Sequence, residues 1–182
     1  MLKHLKYAAT GFVLTLPALG GMHVYAQAIA GHNSRAPVSF DAGRIELQDR
    51  ENRVALSGSV VLQQAGLTVR SNRMLINYTD AGTLQIQRMT ATGGVDVRRG
   101  NEAATGDIAV YDFNRRIITM AGNVRLRRGS DTLNGGRLVI DLRSGVSSID
   151  GRAQGSSPVA GEPAVGETGN GRVTGRFSVP QD

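Results

Sequence analysis

The sequence has no cysteine and no tryptophan, only four tyrosines and four phenylalanines, and no histidine beyond His32, the others being His4 and His23. Each absence removes a class of chemistry. Without cysteine there are no disulfides and no thiolate nucleophile, so an exported chain of this kind relies on its sheet and core alone. Without histidine or cysteine after position 32, a zinc site of the usual ligands, a Ser-His-Asp triad and a Cys-His pair are excluded from the body of the chain. Few aromatics leave little for stacking on bases or gripping sugar faces, which argues against a nucleic-acid partner and a carbohydrate-active enzyme. Gly93-Gly94 and Asn134-Gly-Gly136 are followed by neither Lys-Ser/Thr nor a helix pattern, so they read as turns or bulges and not as phosphate loops. Of the carboxylates, Asp107, Asp112 and Asp141 stand out. Asp112 and Asp141 occupy equivalent places on the face opposite Tyr111 and Phe113, where an outer, solvated residue belongs. The expectation is a protein without metal, cofactor or catalytic residues.

What is present begins with a targeting pattern. Lys3 and Lys6 precede an apolar run from Tyr7 to Leu19, then Gly20-Gly21 and a small-residue junction at Val24-Tyr25-Ala26-Gln27. This is a secretory signal peptide over residues 1–26, with cleavage after Ala26 or Ala28. Pro17, the glycine pair and His23 interrupt the run before the ~20 apolar residues that a spanning helix needs. About 155 residues remain, enough for one domain with a core. The mature chain keeps a modest basic excess, which suits solubility or an anionic lipid headgroup in an exported protein.

From Val38 to Ile149 the pattern is strand-like alternation. Val54, Leu56, Val60 and Leu62 share one face, and Ile118, Met120, Val124 and Leu126 repeat them around Gly122. Three Gly-x-Val-x-hydrophobic units, beginning at Gly58, Gly93 and Gly122, are spaced by 35 and 29 residues. The same offsets carry Ile76 to Tyr111 to Ile140, Tyr78 to Phe113 to Leu142, and Asn77 to Asp112 to Asp141. An earlier partial copy places Ile45 and Leu47 in correspondence with Ala109 and Tyr111, 64 residues on. A unit with one apolar face cannot bury it alone, so neighbours must stack. Glycine at a fixed place in a strand pattern marks a bulge or bend, and three in register would curve the whole sheet one way. The expected fold is all-β: a jelly-roll or taco of stacked antiparallel strands around an apolar interior, over residues 37–150. Residues 151–171, rich in Gly, Ser, Pro, Ala and Glu, read as a flexible linker. Residues 172–182 read as a strand and tail, with Val173, Phe177 and Val179 alternating before Pro180 and docking on a sheet edge of its own chain or a partner's.

The inward set is expected to comprise Ile45, Leu47, Val54, Leu56, Val60, Leu62, Met74, Ile76, Tyr78, Val95, Val97, Tyr111, Phe113, Ile118, Met120, Val124, Leu126, Leu138, Ile140 and Leu142. Periodicity alone does not separate a packed core from a lipid-filled groove. Arg70, Arg73, Arg98, Arg99, Arg125, Arg127 and Arg128 each follow an apolar stretch, and are expected near the rim of that interior. There they either meet anionic headgroups or protect a strand edge from aggregation.

Several segments together carry a family resemblance. Pro37-Val-Ser-Phe-Asp-Ala-Gly-Arg-Ile-Glu-Leu47, Val54-x-Leu-x-Gly-x-Val-x-Leu62 and Gly66-Leu-Thr-Val-Arg-Ser-Asn-Arg-Met74 resemble the first half of LptA/OstA proteins. Glu102-Ala-Ala-Thr-Gly-Asp-Ile-Ala-Val-Tyr-Asp-Phe113 and Ile118-Thr-Met-Ala-Gly-Asn-Val124 resemble the second half, and Arg172-Val-Thr-Gly through Pro180 the last strand. The resemblance implies a periplasmic carrier that shields the acyl chains of lipopolysaccharide and stacks head to tail with like domains. Its implied partners are an inner-membrane export complex and an outer-membrane translocon. Three alternatives stay open: a membrane-anchored sister protein of the same fold, a structural β-solenoid with a packed interior, and a carbohydrate-active enzyme.

Overall fold

The computed structural model describes residues 32–80, 82–152 and 171–178. The signal peptide, most of the 151–171 linker, and Val179 and Pro180 of the tail lie outside these residues. Ten strands follow in order: β1 (Ser39–Asp41), β2 (Arg44–Gln48), β3 (Arg53–Gln64), β4 (Leu67–Asp80), β5 (Leu84–Arg99), β6 (Glu102–Asp112), β7 (Ile117–Arg128), β8 (Asp131–Asp141), β9 (Ser147–Asp150) and β10 (Thr174–Arg176). A single 3-10 turn, Asp49–Glu51, is the only helical element among the described residues. All pairings are antiparallel. The central order is β3-β4-β5-β6-β7-β8, with β1 and β2 both on β3 at one edge and β9 and β10 both on β8 at the other.

The repeat glycines shape this sheet. β3 leaves regular pairing between Ser57 and Val60, β5 between Thr92 and Val95, and β7 between Ala121 and Val124. The two residues skipped in each case have left-handed backbone: Gly58 and Ser59 (φ 84° and 53°), Gly93 and Gly94 (84° and 75°), Gly122 and Asn123 (77° and 48°). Each is a bulge with one residue more than its partner strand, which bends a strand and raises its local twist. Since the three lie in line across the sheet on alternate strands, the bends add into one crease across all the long strands.

The crease divides the sheet into two arms that fold toward each other. The Leu62 arm holds β1, residues 60–64, 67–71, 95–99, 102–106, 124–128 and 131–135, and β10. The Leu56 arm holds β2, residues 53–57, 73–80, 84–92, 108–112, 117–121 and 137–141, and β9. The edge strands break at the same line. Between β1 and β2, the Gly43 amide donates to the Gly58 carbonyl at 2.9 Å. At the opposite edge, the backbones of Gly151 and Gly171 abut, so close that a Cβ on Gly151 would collide with Gly171. β9 and β10 thus continue one another along β8, with Gly151 and Gly171 meeting at the crease. The tail strand docks on its own chain, pairing Gly175 with Leu133.

Both arms contribute to one core. Leu56, Met74, Met89, Tyr111, Ile118, Met120, Leu138 and Ile140 come from one arm, and Val60, Leu62, Leu67, Val69, Val97 and Leu126 from the other, none more than 6% exposed.

Candidate functional site

The candidate site is the space between the arms. Fifteen of the expected inward residues line it and are buried: Leu56, Val60, Leu62, Met74, Ile76, Val95, Val97, Tyr111, Ile118, Met120, Val124, Leu126, Leu138, Ile140 and Leu142. Val54 and Phe113 are half-buried against them, Phe113 stacked on Tyr111 with ring centroids 3.9 Å apart. Tyr78 is half-buried at the edge, its hydroxyl 3.4 Å from Asp49 Oδ1.

Two expected interior residues are corrected. Ile45 and Leu47 pair with Leu56 and Val54 and so share the inward face, but they are 49% and 69% exposed. The reason is position: β2 is an edge strand, and among the described residues nothing continues the interior beyond it. Phe40, opposite Leu62 in β1, is exposed on the same face. Val173 and Phe177, which flank β10 at the far edge, are exposed as well. The apolar face therefore runs from one open end of the folded sheet to the other.

The arginines also need correction. Arg70, Arg98, Arg125 and Arg127 alternate with buried Val69, Val97, Val124 and Leu126, so they stand on the outer face of the Leu62 arm. Arg98 pairs there with Asp96 at 2.6 Å. Arg73 lies on the outer side of the crease, in an open hollow of about 560 Å³ that it shares with Ser57, Gly58, Ser59, Asn72, Thr92 and Gly93. Only Arg99 and Arg128 sit at the rim, at the hairpin ends of β5 and β7. Arg128 Nε is 3.1 Å from Glu102 Oε1.

The three tempting carboxylates do local structural work. Asp112 Oδ1 accepts from the Arg115 amide at 2.9 Å, and Asp141 Oδ1 from the amides of Arg143 and Ser144 at 2.8 and 3.3 Å. The Arg143 amide in particular holds the Asp141 carboxyl below its ordinary pKa. Asp107 Oδ2 accepts from Asn123 Nδ2 at 2.8 Å across the crease.

Alternation did not single out several members of the interior. Leu67 and Val69 were available from the pattern. Ala91, Ala104 and Ala109 are small enough to be overlooked in an apolar count, yet they are buried. Met89 follows a register shift opposite Asn77 and Tyr78. The polar residues Gln64, Ser71 and Glu102 are also buried. Gln64 bonds across the two arms: its Oε1 accepts from the Tyr111 hydroxyl at 2.9 Å and lies 3.0 Å from His32 Nε2. Burial raises the Tyr111 pKa, which keeps the hydroxyl protonated as the donor.

Residues 40–146 match the family model described as LptA/(LptD N-terminal domain) LPS transport protein. The chain belongs to this family. Among solved structures, it is similar to the crystal structure of LptH, the LptA-homologous periplasmic component of the lipopolysaccharide transport device of Pseudomonas aeruginosa. The TM-score is 0.66 at 16% identity, over 81% of this chain and 99% of that one. At that identity the likeness concerns the fold, and it agrees with the all-β architecture expected from the repeat. No curated protein matches the chain.

Proposed function

We infer that the protein is a periplasmic carrier of lipopolysaccharide which takes the lipid A acyl chains between its two arms and passes them along a row of like domains. In this reading the row bridges an inner-membrane export complex and an outer-membrane translocon, and no step requires a catalytic residue. The observation that carries it is the continuous apolar inward face, exposed at one end through Phe40, Ile45 and Leu47 and at the other through Val173 and Phe177. An acyl chain in water costs ~0.8 kcal/mol per CH₂, about 10 kcal/mol for a dozen carbons, and an aliphatic interior that takes up the chain removes most of that barrier. Edge strands with unpaired backbone groups suit head-to-tail addition of a second copy, β1 and β2 of one chain meeting β9 and β10 of the next.

A second reading has its own observation: the interior is filled by its own side chains, as in a structural β-solenoid. Equilibrium binding of intact and fully deacylated lipopolysaccharide separates the two. The carrier reading requires that intact lipid bind and the deacylated form bind at least a hundredfold more weakly. Equal affinity, or none for either, supports the solenoid.

A further inference from the structure

Gln64 closes the mouth of the interior. It lies on the Leu62 arm, and the Tyr111 hydroxyl that bonds to it reaches across from the Leu56 arm. Its Nε2 donates to the carbonyl oxygens of Ser34 and Ala36 at 3.1 and 2.9 Å. Those two carbonyls can only accept, so the amide orientation is fixed: Nε2 faces the segment before β1, and Oε1 faces Tyr111 and His32. One buried side chain thus uses both its donors and both lone-pair directions to tie three parts of the molecule together. The segment from His32 to Ala36 is itself a tight turn, with the Ala36 amide donating to the Asn33 carbonyl at 3.1 Å. His32 is 7% exposed and Gln64 3%.

A closed mouth and a filled interior leave no place for an acyl chain, so loading requires the arms to part. An aliphatic contact between arms can be replaced by an aliphatic contact with lipid at little cost. The polar knot cannot, because an acyl chain offers no hydrogen bonds. We propose that residues 32–36 form a removable strap, locked through Gln64 to Tyr111, which holds the empty carrier closed and is displaced when acyl chains enter. This rests on the carrier reading and adds its regulation: the strap keeps the empty interior dry and sets the barrier to loading.

The test uses the mature chain with purified lipopolysaccharide, following amide hydrogen exchange at residues 33–36 together with the rate of lipid association. Binding is expected to release protection at the strap amides. Tyr111→Phe, which keeps the buried ring and removes the hydroxyl's bonds to Gln64 and to the Ser34 side chain of the strap, is expected to load about tenfold faster, and Gln64→Ala faster still. Melting curves establish that the variants are folded, and Tyr111→Phe keeps the test valid if Gln64→Ala does not fold. Lipid bound with the strap amides still protected, or Tyr111→Phe loading at the wild-type rate, would overturn the strap alone. No binding by any form would overturn the carrier reading and the strap with it.

Discussion

Asp107 lies over Gly122: a Cβ added to Gly122 would fall 2.9 Å from the Asp107 Cβ, a separation that real side chains do not tolerate. Asn72 lies over Gly93 in the same way, also at 2.9 Å. Asn72 and Asp107 are repeat equivalents, so the crease is built twice from the same device: a glycine in left-handed backbone covered by a short polar side chain. Gly122→Ala and Gly93→Ala combine backbone strain with a clash, and each is expected to cost about 2–4 kcal/mol in denaturant unfolding. Gly94→Ala, at φ 75° with nothing within 4 Å of the added carbon, is expected to cost only the strain, about 1–2 kcal/mol.

Residues sharing the inward face should divide sharply by position. Leu56→Ala removes a fully buried side chain and is expected to cost about 2–5 kcal/mol. Leu47→Ala, on the open edge, is expected to change stability by less than about 0.5 kcal/mol. Its effect should appear instead as weaker self-association in sedimentation velocity.

The two rim arginines should differ from the four on the outer face of the Leu62 arm. A cation next to an anionic headgroup contributes about 1 kcal/mol, so Arg99→Gln or Arg128→Gln is expected to weaken lipopolysaccharide binding about fivefold. Arg70→Gln and Arg125→Gln are expected to leave the affinity unchanged, as measured by titration at fixed ionic strength.

His32 should make docking of the 32–36 segment depend on pH. Burial is the main cause that lowers its pKa below the ordinary 6.5; the nearby Arg99 charge adds to this, and the bond to Gln64 opposes it. The undocked segment therefore binds the proton more readily than the docked one. Docking is fully favoured above pH 6.5 and weakens as the pH falls below it. Hydrogen exchange at residues 33–36 is expected to show protection lost at pH 5 relative to pH 7.5 after correction for intrinsic rates. His32→Gln should abolish the difference.

Much of the fold was legible because the repeat is physical. Glycines at fixed offsets marked the bulges, and alternation on either side marked the arms. Alternation failed at the crease itself. β3, β5 and β7 step four residues from one inward position to the next there, as from Leu56 to Val60, while β4, β6 and β8 step three, as from Ser71 to Met74. A strict period of two loses its phase on those strands, which is why Ile108, apolar yet 37% exposed, stands outward. Edge exposure at Ile45 and Leu47 depends on which strand is last, and periodicity does not encode that. The Gln64 knot was hidden for a related reason. Glutamine at a strand end reads as solvated, and its partners lie 32 and 47 residues away.

The central claim, that acyl chains occupy the space between the arms, is tested most directly by photocrosslinking the mature protein to lipopolysaccharide. A photoreactive residue is placed inside at Ile76 or Leu126, or outside at Thr105 or Thr119. The account requires adducts at both interior positions and at neither outer one. A folded protein that binds lipopolysaccharide yet gives adducts only at Thr105 or Thr119 would place the lipid on the outer surface and contradict it.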